Sequence, residues 1–223
     1  MRERIIALFG VIVVPAVTYY APAAPEIAGA LLAFVLVWIE PAPAIAELGL
    51  ERPRRVWRTL ALGVGFGIGL FFLNRLLVTP MIEYITGIRR DLTRFDYLRG
   101  NVTALLKLLP LIWLTAGFCE EVVYRAYLIT RIGKLLRNSN AARIAGCLVG
   151  AGIFGLAHWY QGVAGMLVTG TLGLLLGFLF LQQRRNLWAN IAAHIMADTV
   201  SLTAVCLGFD RSVDEFGRSL LGL

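Results

Sequence analysis

Residues 116–128 read AGFCEEVVYRAYL, which sets Glu120, Glu121 and Arg125 inside one of the most apolar segments of the chain. The run around them, 101–130, is long enough to cross roughly 30 Å of hydrocarbon at about 1.5 Å per residue. Comparable runs recur at approximately 5–20, 24–39, 56–79, 141–158, 163–181 and 187–207. With 58% hydrophobic and only 16% charged residues in 223, the chain lies far from soluble composition and is solvated by lipid. Lipid offers backbone groups no partner outside helices and closed barrels, and these runs lack the alternation of strands. The expectation is an all-α, polytopic transmembrane bundle of about seven helices. As one integral membrane domain it divides into N-terminal helices and a surface connection (1–100), a helical core (101–207) and a short polar tail (208–223).

The net charge of +7 comes mostly from arginines placed between the apolar runs, without the aromatic interleaving of a nucleic-acid groove. The partners expected are therefore the bilayer and a membrane-associated molecule, with no nucleic acid. With the N-terminus inside, the inner side receives Arg2, Arg4, Arg52, Arg54, Arg55, Arg58, Arg131, Lys134, Arg137, Arg143, Arg184 and Arg185. The outer side receives Arg89, Arg90, Arg94 and Arg99 in the 80–100 connection, and Arg211 and Arg218 in the tail. That connection, MIEYITGIRRDLTRFDYLRG, is the one exception to the inner bias; a solvated loop is preferred over an amphipathic surface segment. Arg2 and Arg4 ahead of the first run and Ala-Pro-Ala after it leave a cleaved leader open. A retained helix is preferred, because the second run is short and needs a neighbour.

Cys119, Cys147 and Cys206 lie in apolar segments without metal-ligand spacing and read as packing residues. GVGFGIG at 63–69 and Gly173-x-x-x-Gly177 allow helix backbones to approach closely. No strand precedes the first, so it is not a dinucleotide-binding run.

Ionisable groups at mid-membrane cost about 2.5–3.5 kcal/mol each on insertion scales, so they mark a function or a buried pair. Three polar islands qualify: Glu120, Glu121 and Arg125; His158 in FGLAHW; and His194 with Asp198 in NIAAHIMADT. The two histidines are the only ones in the chain. On an α-helix Glu121 and Arg125 share a face, whereas Arg125 points about 140° away from Glu120. Glu121 is thus the paired carboxylate, while Glu120, on the face of Tyr124, lacks an intrahelical counter-charge and suits a general base. His194 and Asp198 also share a face, so the carboxylate can orient the imidazole or hold it as an imidazolium. Counted at about 1.5 Å per residue, Glu120 lies roughly 16 Å from Arg131, His194 roughly 14 Å from Arg185 and His158 roughly 22 Å from Arg143. The islands can meet. Together they suit water activation, with Glu120 taking a proton from water that one histidine binds and the other histidine stabilising an oxyanion. Cys119 points about 100° from Glu120 and has no base on its helix, which disfavours a thiol nucleophile.

EEVVYR at 120–125, FGLAH at 154–158 and HIMAD at 194–198, in this order and on separate apolar segments, resemble the CPBP family of intramembrane glutamic proteases. That family includes the type II CAAX prenyl endopeptidases and bacterial abortive-infection or bacteriocin-immunity proteins. The resemblance covers 101–207 and implies a CAAX-protease-like core, with Glu120 as catalytic base and His158 binding the attacking water. It makes His194 and Asp198 the oxyanion site, with Glu121, Arg125 and Tyr124 in support. The family's prenyl endopeptidases carry asparagine where Asp198 stands, and a carboxylate donates to an oxyanion only when protonated. Asp198 is therefore assigned to holding His194.

The expected activity is an intramembrane endopeptidase that cleaves a membrane-associated protein or peptide in processing or maturation. The expected location is the bacterial inner membrane, and no cofactor is expected. Phe154 reads as a packing residue, and Trp159, Tyr160 and Trp188 as interfacial anchors. Other readings keep the same residues: a proton-coupled transporter, a non-catalytic immunity or scaffold protein, and a zinc hydrolase using Glu120, His158 and His194. The transporter lacks convincing inverted repeats, and the zinc reading ranks lower because no H-E-x-x-H pattern is present.

Overall fold

A computed structural model describes residues 2–40 and 44–223, without the side chains of Arg2, Ala44 and Ile45. The placement of Arg2 on the inner side therefore falls outside it. Each apolar run is a helix: α1 (Arg2–Tyr20), α2 (Pro25–Trp38), α3 (Val56–Thr86), α4 (Val102–Leu135), α5 (Asn140–Ala157), α6 (Gly162–Gln182) and α7 (Trp188–Leu207). Six of the seven are long and apolar enough to cross a membrane. The exception, α2, has 14 residues, about 21 Å of rise, and packs along α1. The chain is a multi-pass helical membrane protein, with no strand among the described residues.

Two helices widen beside a proline. In α4, π-type hydrogen bonding runs over Trp113–Ile129, just after Pro110; in α3 it covers Asn74–Val78, just before Pro80. In α3 the proline accounts for the widening, because it has no N–H to give and its ring crowds the carbonyl four residues back, so the preceding turn opens. In α4 the wide stretch follows Pro110, and this rule does not place it. The wider turn brings residue i+5 toward the face of residue i. Spacing by itself therefore separates Glu120 from Arg125 less sharply than α-helical counting suggests, and tertiary contacts make the distinction.

The glycine runs are packing surfaces. A Cβ at Gly63 or Gly67 on α3 would strike the backbone carbonyls of Ala189 and Ala193 on α7. One at Gly173 on α6 would come within 2.8 Å of the Phe154 ring on α5. These approaches draw α3 against α7 and α6 against α5, and α5, α6 and α7 each pack on α4. On the expected inner side, fully buried Arg131 pairs with Glu40 at 3.2 Å and Glu47 at 2.9 Å, and Lys134 joins both carboxylates. Burial opposes ionisation of Glu47, but Lys134 and Arg131 outweigh it and hold the carboxyl below its ordinary range. The three cysteines are free and buried.

The arginines of the 80–100 connection have tertiary partners. Arg99 forms a bidentate pair with Asp210 at 2.8 and 2.9 Å and also reaches Asp96. Arg89 approaches Glu83 at 3.6 Å, Arg94 lies over the Tyr160 ring, and Arg90 donates to Gln161 at 2.8 Å. Those contacts account for a basic cluster that the inner bias left unexplained. The connection is also more ordered than a solvated loop: α3 continues to Thr86, and a 3₁₀ turn covers Thr93–Leu98. The stretch expected as a polar tail folds as a further helix, α8 (Phe209–Leu221), entered through Gly208 at φ 76.

Candidate active site

The three polar islands converge. Glu120 and Tyr124 from α4, His158 from the end of α5, and His194 and Asp198 from α7 line one cavity of about 780 Å³. It lies on the expected outer half, bordered also by Tyr160 and Gln161 after α5 and by Arg90 and Arg94 of the outer connection.

The adjacent glutamates face different surroundings. Glu121 is fully buried behind the cavity, paired with Arg125 at 2.9 Å. Arg125 in turn lies over the Phe154 ring at 4.3 Å and points to the carbonyl of Gly173. Glu121 also accepts hydrogen bonds from Asn190 at 3.2 Å and from His194 Nδ1 at 2.7 Å. Every strong partner in the region thus converges on Glu121. Glu120 has none of them: its Oε2 is buried without a hydrogen-bond partner, 3.8 Å from His194 Nε2.

His194 is oriented by Glu121 through Nδ1, while Asp198 Oδ2 stands 3.6 Å from Nε2, too far for a hydrogen bond but within ion-pair reach of the ring. With Nδ1 taken by Glu121, Nε2 is left between Glu120 and Asp198, facing the cavity. His158 is set by its own helix end: Nδ1 lies 2.8 Å from the carbonyl of Phe154, and since a carbonyl only accepts, Nδ1 carries the proton and Nε2 is the free nitrogen.

Phe154 does more than fill space. Its ring is 4.8 Å from that of His158, 6.0 Å from His194 and 5.0 Å from Tyr124, all edge-on. One rigid, buried ring therefore spaces both imidazoles and supports Arg125. Four residues before His158 on α5, it occupies the same face as the histidine.

Several site residues were not singled out from sequence. Asn190 bridges Glu121 and the carbonyl of Leu176, and its spacing of four before His194 was the available signal. Arg90 donates its Nε to Gln161, which also bonds Tyr160 and accepts Asp91 N–H through its backbone. Burial and the nearby Arg75 cation lower the Arg90 guanidinium to about 10, so it stays charged at neutral pH. Nothing in the sequence distinguishes Arg90 from Arg89, Arg94 or Arg99. Among the described residues, no three His, Cys, Asp or Glu side chains converge in a metal-holding arrangement.

Fold and site together define a multi-pass helical membrane protein with a glutamate–histidine cavity sunk between its helices. Residues 102–200 match the family model described as Rce1-like, type II CAAX prenyl endopeptidase Rce1-like. The match spans the three motifs, so the resemblance read from them holds at the family level. No curated protein and no solved structure gives a significant match to the chain.

Proposed function

We propose that the chain is an intramembrane glutamic endopeptidase that cleaves a membrane-associated protein or peptide with water activated by Glu120. The observation that carries this reading is the orphan Oε2 of Glu120, facing His194 across 3.8 Å while Glu121 takes every structural partner. A carboxylate left without partners in a lipid-embedded cavity has a proton acceptor's role open to it.

Water in the cavity gives one hydrogen bond to Glu120 and one to the free Nε2 of His158. As its oxygen attacks the scissile carbonyl, a proton passes to Glu120, a step worth about 10²–10⁴ in rate. The developing oxyanion is stabilised by His194, which in protonated form donates from Nε2 while Glu121 holds Nδ1. Collapse breaks the C–N bond, and Glu120 returns its proton to the leaving nitrogen. Asp198 supports His194 electrostatically across the cavity. Tyr124 and Phe154 fix the ring positions.

The matched family's name joins this reading to peptides with a CAAX-type, lipidated end, and the mixed polar and apolar cavity walls suit such a substrate. A processing step in the bacterial inner membrane is the setting proposed. The test is turnover of a membrane-anchored peptide by the purified protein, set beside the Glu120→Gln variant. Cleavage retained by that variant would overturn the mechanism. Activity lost to chelator and restored by zinc would favour a hydrolase built on Glu120, His158 and His194. Ion-driven uptake without cleavage would favour a transporter.

A further inference from the structure

The surface of α8 carries its polarity in an order that water alone would not select. Counted at about 100° per residue, Phe209, Val213, Phe216 and Leu220 fall within about 60° of arc. Their large rings and chains are bare: Phe209 is 61% exposed, Phe216 58% and Leu220 58%. Asp210, Asp214 and Gly217 lie about 100° around the helix from that stripe, and this charged side is the one turned toward the protein. Asp210 is 3% exposed and bonds Arg99, Asp214 bonds Arg75 at 2.7 Å, and Gly217 packs on the backbone of Arg75 and Leu76. Arg218, at the edge of that side, reaches Glu83 at 2.6 Å. Arg211, Ser212, Glu215 and Ser219 occupy the remaining arc, about 200° to 300° around from Phe209, and are exposed.

Three sectors of one helix thus call for three surroundings: protein to the side, water on one edge and an apolar phase on the other. A helix lying in the plane of a bilayer surface, flanked by the protein it follows, meets all three. The neighbouring end of α3 repeats the pattern. Met81, Tyr84 and Ile85 are exposed along one stripe, while Glu83 between them is buried toward Arg218. The apolar edge of α8 also begins with only Gly208 between it and the end of α7 at Leu207, itself 56% exposed, so it starts where a membrane-spanning helix leaves the bilayer.

We infer that α8 is an interfacial helix, seated in the bilayer boundary through Phe209, Phe216 and Leu220 and fastened to the bundle by the Asp210, Asp214 and Arg218 ion pairs. The occupant of the exposed stripe is lipid. This inference does not depend on the peptidase reading.

The experiment uses the full chain reconstituted in neutral phosphatidylcholine vesicles, with an environment-sensitive fluorophore on a thiol introduced by Phe216→Cys, Leu220→Cys, Glu215→Cys or Arg211→Cys. The native cysteines are buried, and the four positions are exposed, so label and fold are not in conflict; unchanged gel-filtration profiles verify this. Labels at 216 and 220 should emit to the blue and be quenched several-fold more by a nitroxide on the upper acyl chain than by aqueous iodide. Labels at 211 and 215 should show the reverse. Equal iodide quenching at 215 and 216 would overturn the inference in favour of a solvated helix. Shielding of 216 from both quenchers would overturn it in favour of a protein occupant.

Discussion

Replacing the two adjacent glutamates one at a time should separate chemistry from stability. In Glu121→Gln the fully buried Arg125 loses its counter-charge and His194 Nδ1 loses a carboxylate at 2.7 Å. Breaking one side of a buried ion pair costs about 3–5 kcal/mol. For a chain of this size that corresponds to a fall in melting temperature of roughly 6–20 °C. Arg125 keeps the Phe154 ring and the Gly173 carbonyl, which favours the lower end. Glu120→Gln removes no hydrogen bond at Oε2 and should lower the melting temperature clearly less than Glu121→Gln. Its turnover should fall about 10²–10⁴-fold. The assay pairs cleavage of a membrane-anchored fluorogenic peptide with gel filtration after graded heating in detergent. A Glu121→Gln protein as heat-stable as the parent would refute the pairing argument, and a Glu120→Gln protein with normal turnover would refute the mechanism.

Asn190→Leu should strip Glu121 of one donor and leave the Leu176 carbonyl unpaired, costing about 1–3 kcal/mol; the same heating series reads it. Gly67→Leu should force α3 away from the Ala193 carbonyl on α7 and cost about 1–3 kcal/mol, whereas Gly65→Leu, with open space around it, should leave the melting temperature unchanged. Burial tends to raise Asp210, but Arg99 outweighs it and holds the carboxyl below its ordinary 3.8. A depressed carboxylate stabilises fully above the ordinary value and loses that contribution as pH falls through the folded one. The attachment of α8 should therefore persist at neutral pH and weaken only below pH about 4, seen as rising proteolysis of the C-terminal segment. Asp214, pushed up by burial, has the opposite sign and does not add to that loss. Asp210→Asn should give the proteolysis pattern at neutral pH.

Much of this molecule was legible before folding was considered. Hydrophobic runs have to become helices in lipid, so α1 to α7 follow from composition and length. The three polar islands were visible because charge at such depth is costly, and spacing offered Glu121 as the partner of Arg125, a distinction from Glu120 that contacts from another helix complete. Less was visible where partners come from other helices. His194 and Asp198 share a helix face, yet Glu121 on α4 takes Nδ1 at 2.7 Å and leaves Asp198 beside Nε2 at 3.6 Å. Phe154 could be read as a core aromatic; its position between two imidazoles arises only when α5 meets α4 and α7.

The last residues show the same division. The sequence of α8 contains its apolar repeat, but a short stretch with charged residues and serines set among the apolar ones reads as a polar tail until its buried side is known. Sequence by itself determined what must avoid water, because that depends on side-chain chemistry and run length. Which buried group meets which was decided only by tertiary structure, because hydrogen bonds and ion pairs act over about 3 Å and the residues that make them lie as far apart as Arg99 and Asp210.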